Sequence, residues 1–473
     1  MRAEENNDCK TNSKEGKDKV KAFKKFIAEH GGKTHNVQIA ELEYEKGWGI
    51  LAAQKIEPNT VIMEIPQILT ITAEIARNCP TLGPILNLID VDEIPEEKEK
   101  EEDNNLAKDG IQKDSINEGM ENQEQIENLK LSDTMTLCKS DTLALILFIL
   151  HHSSIQDSPY SPYLYMLPQR FHTPLFWKSN DIELLRQCDN VCPIIDRMDE
   201  NRSLLYEFWN QIFVPLYNHF GDALLSQENA GFDRFLWAYT IIESRTFKVH
   251  MTSSPSSTSS SISSLKKIQV LCPFIDFINH TSHNPNVHLQ GYNSNDGRFR
   301  LITHGETIRA GTEFLLTYNQ FNNQQLIRYY GFAIPCNPHD KIILSIDDIL
   351  DLKTNKSKDT QSHHYNHQSY ELQRSDPSIP SSLISVLRKI FSQSLEFSNS
   401  TKNMDEEKSI TLNERIFEYL TNKIQNLLNI RYSTMEHLRL IRNPHVKAMI
   451  TILNQEEIDI LRKSQEYLNF LFR

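Results

Sequence analysis

Two short blocks of sequence constrain this chain most, because each joins a run of apolar residues to polar side chains. The first block, FIDFINH at residues 274–280, ends in Asn279 and His280. The second block, TYNQFNNQQLIRYYGF at residues 317–332, places Tyr318 directly after another apolar run. Burying such runs is favourable only if the embedded polar groups find partners. The two blocks therefore predict a site that is built into the protein core.

Length and charge set the broad class of the protein. A chain of 473 residues is too long for one compact core, which predicts two or three units. The net charge is −13, but residues 91–130 alone hold fourteen acidic residues against five lysines. Because this stretch has no aromatic and few large aliphatic residues, it is predicted to be a disordered acidic loop. The charge that remains elsewhere is small and gives no electrostatic case for nucleic-acid binding.

The sequence does not support a membrane protein, a secreted protein or a metal-binding protein. The longest apolar stretch, residues 143–150, is too short to span a bilayer, and the charged N-terminal residues contain no apolar secretion segment. We therefore expect a soluble intracellular protein with reduced thiols. The seven cysteines are scattered without a CxxC pair. Cys188 and Cys192 are close in sequence, but two thiolates do not complete a structural zinc site, so no metal is predicted.

The hydrophobic pattern changes period along the chain and predicts an α+β fold. A polar tail at residues 1–20 precedes an amphipathic helix at 20–30. Helical periodicity then dominates from about residue 80 to 230 and returns at the C terminus, after a polar linker at 354–376. Period-two patterns predict strands at 37–42, 49–53, 61–66, 267–277, 287–292, 299–303, 313–318 and 341–346.

Three further features suit ligand binding, and each has a plain structural alternative. Gly47 and Gly49 flank Trp48 between two strand-like runs, where glycine lets the backbone approach a ligand, although a tight hairpin explains the pattern equally well. Arg245 ends a predicted helix and suits a carboxylate, or else a surface salt bridge. The Asn279 amide offers both a donor and an acceptor, whereas its sequence context is also typical of a polar turn.

Together these segments resemble the cofactor and catalytic segments of SET-domain protein methyltransferases. The resemblance implies that the chain binds S-adenosylmethionine. The residues that it assigns to the cofactor are Lys46, Gly47, Trp48, Arg245, Asp276, Asn279, His280, Tyr318 and Tyr330.

Tyr318 matches the catalytic tyrosine of the family, and Tyr330 matches a second aromatic residue that lines the lysine channel. Methyl transfer from a sulfonium is an in-line displacement that needs a neutral, well-aligned amine. A tyrosine hydroxyl can orient that amine and offer its oxygen to the electron-poor methyl group without acting as a base.

The helical insert, the phrase SPYSPYLYMLP…FHTPLFW at residues 158–177 and the helical C terminus are similar to the Rubisco large-subunit methyltransferase-like class. Within that class, the second block is most similar to a nuclear subgroup that monomethylates lysines of ribosomal proteins and transcription factors. The resemblance implies a SET domain at 21–338, with an insert at about 80–230. It also implies a helical domain at 339–473 that binds protein substrate in place of a zinc segment.

The resulting hypothesis is a protein-lysine N-methyltransferase in the nucleus or the cytoplasm, with a lysine-bearing protein as its partner and no nucleic-acid or membrane partner. Two alternatives stay open. One is a protein-histidine N-methyltransferase, because a member of the same class acts on histidine with the same motifs. The other is a binding module that keeps the fold without catalysis. The presence of Asn279, His280 and Tyr318 together favours an enzyme.

Overall fold

The computed structural model describes residues 14–42, 47–90, 141–251, 266–293, 296–345, 369–396 and 405–472. The predicted acidic loop at 91–130 and most of the predicted N-terminal tail lie outside these ranges. The chain divides into two compact units. The first unit comprises residues 1–170 and 201–319, and the second comprises 171–200 and 320–473. This division does not follow the predicted boundary between residues 338 and 339, because α-helical residues on both sides of that boundary share one core, described below.

The strands of the first unit are short and form several small sheets. In chain order the strands are β1 (Lys33–Thr34), β2 (Val37–Leu42), β3 (Gly47–Ala52), β4 (Val61–Pro66), β5 (Ile71–Thr72), β6 (Thr246–Met251), β7 (Lys266–Leu271), β8 (Asn279–His280), β9 (Val287–Asn293), β10 (Arg298–Thr303) and β11 (Leu315–Leu316). The largest sheet has the antiparallel order β1-β4-β10-β9, and β5-β7-β6 forms another. The strands β2 and β3 form an antiparallel hairpin, whereas β8 and β11 pair in parallel.

Helices separate β5 from β6 and dominate the chain after β11. The sheets thus join strands from both sides of a helical insert, and the predicted α+β class is confirmed. None of the helices in the described ranges is long and apolar enough to cross a membrane. The helices are α1 (Lys14–Glu29), α2 (Ala73–Asn78), α3 (Leu82–Asp90), α4 (Asp141–Ser154), α5 (Ser161–Leu164), α6 (Ser179–Leu185), α7 (Cys192–Phe208), α8 (Val214–Phe220), α9 (Phe232–Arg245), α10 (Asn323–Tyr330), α11 (Ser381–Glu396), α12 (Asp405–Leu438) and α13 (Pro444–Leu471).

Helix α1 begins earlier than the sequence predicts, because residues 14–20 were expected to belong to the polar tail. In the structure Lys19 pairs with Glu15 one turn away, at 2.8 Å, and such pairs support a helix start. Further along, Phe23 and Ile27 bury the apolar face of the helix. The helix therefore contributes a packed face to the first unit rather than a free end.

Three predicted segments differ from the structure. The strand predicted at 313–318 is reduced to the two residues of β11, and the Phe314 amide before it donates to the carbonyl oxygen of Ile50 in β3. The strand predicted at 267–277 ends with β7, since Pro273 cannot donate to a strand ladder and a 3₁₀ turn follows at Ile275–Phe277. The linker predicted at 354–376 contains the strand β13 (Ser369–Gln373), which pairs with β12 (Lys341–Ser345). Tyr370 and Leu372 are buried on one face of β13, and this alternation is hidden among polar neighbours in the sequence.

The described part of the second unit contains apolar clusters and a buried polar network around Glu457. One cluster joins residues from α6, α7, α10 and α13, including Ile327 and Val446. In the network, the ion pair between Arg431 Nε and Glu457 Oε2 spans 2.6 Å. Asn190 donates to the same carboxylate at 3.1 Å and accepts from Thr434 Oγ1 at 2.8 Å. Because opposite charges lie together and Asn190 donates to the carboxylate, burial of the charges is tolerated and residues around 190 are held to α12 and α13.

Gly331 ends α10 with a φ of +75°, and a Cβ there would lie 2.6 Å from backbone atoms of His172 and Thr173. We expect Gly331→Ala to lower the free energy of unfolding by more than the ~1–2 kcal/mol that the left-handed conformation alone costs. Gly305→Ala is the matched control, because Gly305 has a similar φ of +77° and no described atom lies within 4 Å of its added Cβ. Denaturant unfolding of both variants measures the difference, and equal stabilities would contradict the close approach.

Candidate functional site

The two predicted sequence blocks meet in the first unit through two very short parallel strands. Asn279 of β8 pairs with Leu315 of β11, and His280 pairs with Leu316. The amide of Thr281 donates a 3.0 Å hydrogen bond to the carbonyl oxygen of Leu316, which extends the pairing. The polar ends of both apolar runs therefore lie side by side, as the sequence predicts.

Tyr318 is held through both its backbone and its side chain. Its amide donates a 2.9 Å hydrogen bond to Nδ1 of His280, and its hydroxyl donates a 2.8 Å bond to the carbonyl oxygen of Ile278. The rings of Tyr318 and His280 lie 5.0 Å apart. Removal from water raises the pKa of Tyr318 well above its ordinary value, so the hydroxyl stays neutral. It can orient a partner but is a poor proton acceptor.

The Asn279 side chain lies where the glycine segment approaches the first block. Its Nδ2 donates a 2.8 Å hydrogen bond to Oε1 of Glu313. A Cβ added at Gly49 would lie 3.3 Å from this Nδ2 and 2.4 Å from a methyl group of Leu42, so a larger residue there would force the Leu42 side chain to move. Gly47 has a φ of +73°, which residues other than glycine rarely adopt. The structure thus brings the predicted glycine segment to Asn279.

A buried carboxylate links α9 to the first block. The side chain of Asp276 is 0% exposed and accepts a 2.8 Å hydrogen bond from the hydroxyl of Tyr163. Nη1 of Arg245 donates a 2.8 Å bond to the backbone oxygen of Asp276 and lies 3.5 Å from its carboxylate. Burial raises the pKa of Asp276 to about 6, although the Arg245 cation and the Tyr163 hydrogen bond oppose that rise. Arg245 therefore does not form a surface salt bridge.

This pair keeps unused hydrogen-bonding capacity. The Oδ1 atom of Asp276 and the Nε atom of Arg245 are buried without a hydrogen-bond partner among the described residues. Buried polar groups normally have partners, because an unpaired group loses its interaction with water. The arrangement suits a polar ligand.

The first block starts with a strained residue. Phe274 is fully buried and has a φ of +82°, which is uncommon for a bulky side chain and costs ~1–3 kcal/mol. Its ring stacks on Phe23 of α1 at 5.6 Å, and Phe277 meets the same Phe23 ring edge-on at 5.3 Å. The tight turn after Phe274 directs Asp276 towards Tyr163, and packing of the three phenylalanines stabilises it. Strained residues of this kind cluster at functional sites.

Three predicted site residues are not part of this cluster in the described structure. Tyr330 belongs to the second unit, where its ring lies 5.8 Å from Phe321. Lys46 lies outside the described residues. Trp48 is in register with Glu41 in the β2–β3 hairpin. The first unit does bring together Arg245, Asp276, Asn279, His280 and Tyr318, and it places Gly49, two residues after Gly47, beside Asn279. The cofactor roles of all nine predicted residues stay predictions.

Tyr163 and Glu313 belong to this network but are not among the predicted site residues. Tyr163 is 113 residues from Asp276 in the chain, and no local pattern connects the two. For Glu313 a signal was present, since it is an acidic residue at the start of the apolar run that leads to Tyr318.

A family model described as "SET domain" matches residues 47–319, which is more than half of the chain. The chain belongs to the SET-domain family. The match begins at the glycine segment and ends one residue after Tyr318, so it includes the network around Asp276 and the β8–β11 pair.

The chain is also similar to individual curated proteins. Actin-histidine N-methyltransferase of Gallus gallus is 20% identical over 322 residues, which cover 68% of this chain and 44% of that protein. SET domain-containing protein 4 of Artemia parthenogenetica is 26% identical over 208 residues, which cover 44% of this chain and 48% of that protein. The chain therefore spans less than half the length of these relatives.

Two solved structures share the fold over nearly the whole chain. Rubisco LSMT bound to AdoMet has a TM-score of 0.55 at 17% identity and covers 96% of this chain and 92% of its own. The SET domain of LSMT bound to lysine and AdoHcy has a TM-score of 0.55 at 16% identity, with coverages of 96% and 91%. The predicted SET fold with a helical C-terminal region is confirmed. The predicted lysine-monomethylating subgroup stays a prediction.

Loss of the Glu313 carboxylate removes the acceptor for the Asn279 amide. We expect Glu313→Ala to lower the free energy of unfolding by about 1 kcal/mol. Glu313→Gln keeps an oxygen acceptor on a side chain of the same length and is expected to retain most of that stability. Denaturant unfolding at one pH compares the variants. An alanine variant as stable as the wild type would contradict the importance of this hydrogen bond.

Proposed function

We propose that this chain is an S-adenosylmethionine-dependent N-methyltransferase that acts on a lysine side chain of a protein in the nucleus or the cytoplasm. The observation that carries the proposal is the β8–β11 pair, which holds Asn279, His280 and Tyr318 in one hydrogen-bonded cluster inside a SET domain. Supporting it, solved proteins with the same fold hold AdoMet or AdoHcy, and one holds lysine as well.

The residues of the cluster fit the polar groups of S-adenosylmethionine, which carries a carboxylate, an ammonium group and an adenosine. The buried Nε of Arg245 suits the carboxylate. Because Nδ2 of Asn279 is bonded to Glu313, its amide oxygen is the atom suited to accept from an ammonium group. Among the described residues, no atom lies within 4 Å of the position that a Cβ at Gly47 would take. The cofactor roles of Lys46, Trp48 and Tyr330 rest on the resemblance alone.

When bound, the cofactor supplies an electrophilic methyl group on a sulfonium sulfur. Tyr318 donates its hydroxyl hydrogen to Ile278, so the oxygen keeps lone pairs that can face an electron-poor methyl group or an incoming amine. The raised pKa of Tyr318 keeps this oxygen protonated, which fits an orienting role and not that of a base. A lysine amine has an unperturbed pKa of ~10.4, so the acceptor must lose its proton before transfer.

A second candidate is transfer to a protein histidine, favoured by the actin-histidine N-methyltransferases among the relatives. At 20% identity, these relatives support methyl transfer to protein more strongly than they support one acceptor. Neutral imidazole is a nucleophile near neutral pH, because its unperturbed pKa is ~6.5. The residues of the cluster named above suit either acceptor.

Methyl transfer from labelled S-adenosylmethionine into a cell extract, with mass spectrometry of the modified residue, tests the proposal. We expect label on a protein lysine, and we expect Tyr318→Phe to reduce kcat on the order of 100-fold with little change in cofactor affinity. Phenylalanine keeps the ring, so a melting curve should show a folded variant. Label on histidine would favour the second candidate, and near-normal turnover of Tyr318→Phe would remove Tyr318 from the catalytic role.

Asn279→Ala tests the cofactor pocket separately. The variant removes an amide that we assign to the cofactor, so the binding free energy of S-adenosylmethionine is expected to weaken by about 1–3 kcal/mol for each lost hydrogen bond. Calorimetric titration measures the affinity, and Tyr318→Phe provides a comparison variant that is expected to bind normally. Unchanged affinity in folded Asn279→Ala would contradict the assignment.

A further inference from the structure

Tyr163 lies in an apolar setting that leaves its hydroxyl one polar contact among the described residues. The side chain is 0% exposed, and its ring lies 6.1 Å from the ring of Phe23 and 6.3 Å from that of Phe277. From this setting the hydroxyl donates its 2.8 Å hydrogen bond to Oδ2 of Asp276. A buried tyrosine in this position holds a carboxylate in place more firmly than packing alone, because both groups would otherwise lose hydrogen bonds.

We propose that Tyr163 is a positioning residue of the site: its hydroxyl holds the Asp276 carboxylate so that Arg245 and the turn before Asn279 keep the positions from which they meet the cofactor. This inference rests on the proposed function, and it adds a residue that lies outside both sequence blocks. Tyr163 acts through Asp276 and is not itself assigned to the cofactor.

The hydrogen bonds around Asp276 connect Tyr163 to the cofactor ligands and to the catalytic hydroxyl. The backbone oxygen of Asp276 accepts from Arg245 at 2.8 Å, so the position of the Asp276 residue fixes the guanidinium. Two residues later, the carbonyl oxygen of Ile278 accepts from the hydroxyl of Tyr318 at 2.8 Å. Asn279 follows immediately. A turn that is free to shift at Asp276 would therefore disturb both the cofactor ligands and the catalytic hydroxyl.

The ionisable groups that face Asp276 come from several elements. They are Tyr163 of α5, Arg245 of α9, Cys272 after β7 and Tyr318 after β11. Burial raises the pKa values of the Cys272 thiol and the Tyr318 hydroxyl, so both stay neutral where Asp276 titrates. Arg245 and Tyr163 both lower the pKa of Asp276, against the effect of burial. Loss of the Tyr163 hydroxyl is therefore expected to raise that pKa.

Binding of S-adenosylhomocysteine, measured by calorimetry between about pH 5 and 8.5, provides a readout that does not need methyl transfer. In the wild type we expect the affinity to fall on acidification as the Asp276 carboxylate, with a pKa of about 6, becomes protonated and its hold on Arg245 weakens. In Tyr163→Phe the midpoint of this fall should move up by about one pH unit, the shift expected for one hydrogen bond to a charged group.

Tyr292→Phe is the matched control, because its hydroxyl also donates to a side chain of the first unit, Gln67, at 2.9 Å. Its midpoint should equal that of the wild type. Asp276→Asn cannot titrate and should show no fall with a midpoint near pH 6, which provides a second test if Tyr163→Phe does not fold. An unshifted midpoint in folded Tyr163→Phe, an equal shift in Tyr292→Phe, or a wild-type profile in Asp276→Asn would overturn the proposal.

The outcomes separate this inference from the proposed function. A protein that shows the expected midpoints but transfers no methyl group would refute the proposed function and support the positioning role of Tyr163. Methyl transfer with an unshifted midpoint in Tyr163→Phe would support the proposed function and refute the positioning role of Tyr163. A wild-type protein that does not bind S-adenosylhomocysteine would overturn both.

Discussion

The pairing of β8 with β11 is the interaction on which the rest of the site depends. Strands of two residues contribute little stability by themselves, and parallel pairing is slightly weaker than antiparallel pairing. Side chains complete this pair. Asn286 accepts from the Leu315 amide and donates to the Glu313 carbonyl, both at 2.8 Å, and Thr317 donates to the Thr281 carbonyl at 2.9 Å. A slip of one residue would break these bonds together with those of Asn279 and Tyr318, so the side chains fix the register.

The turn from Phe274 to Asp276 has a strained backbone, and it directs a carboxylate into the core. Phe274 has a positive φ, and Asp276 is buried two residues later. Both are unfavourable alone, since a bulky residue resists that conformation and a carboxylate resists dehydration. Aromatic packing around Phe23 offsets the first cost, and hydrogen bonds from Tyr163 and Arg245 offset the second. Helix α1 and the helical insert therefore support a turn that lies far from them in the sequence.

Local patterns predicted much of this structure, and contacts distant in sequence account for what they missed. The apolar runs before Asn279 and Tyr318 predicted a buried meeting point, because unpaired polar groups cannot simply be buried there. The period of the apolar residues predicted the helical insert in which α4 lies, and the helix predicted to end at Arg245 is α9. By contrast, Tyr163 is one aromatic residue among several in its segment, and only the fold shows which hydroxyl reaches Asp276. Likewise, β13 lies in a polar stretch, and only its pairing with β12 shows that its two buried residues belong to a strand.

The ionisation of the network bears on the proposed acceptor. A lysine reaches a protein site as an ammonium ion, and a nearby uncompensated carboxylate would stabilise that charged form against transfer. Asp276 is such a carboxylate, but it is hydrogen-bonded to Tyr163 and lies beside the Arg245 cation, so its charge is already balanced within the network. The Arg245 cation also repels a second cation near Tyr318. It is close enough to lower the pKa of the Tyr318 hydroxyl, against the effect of burial. The partners that hold Asp276 in place thus also limit how far it can stabilise the ammonium form. This effect matters more for lysine than for histidine, because an imidazole is already largely neutral near pH 7.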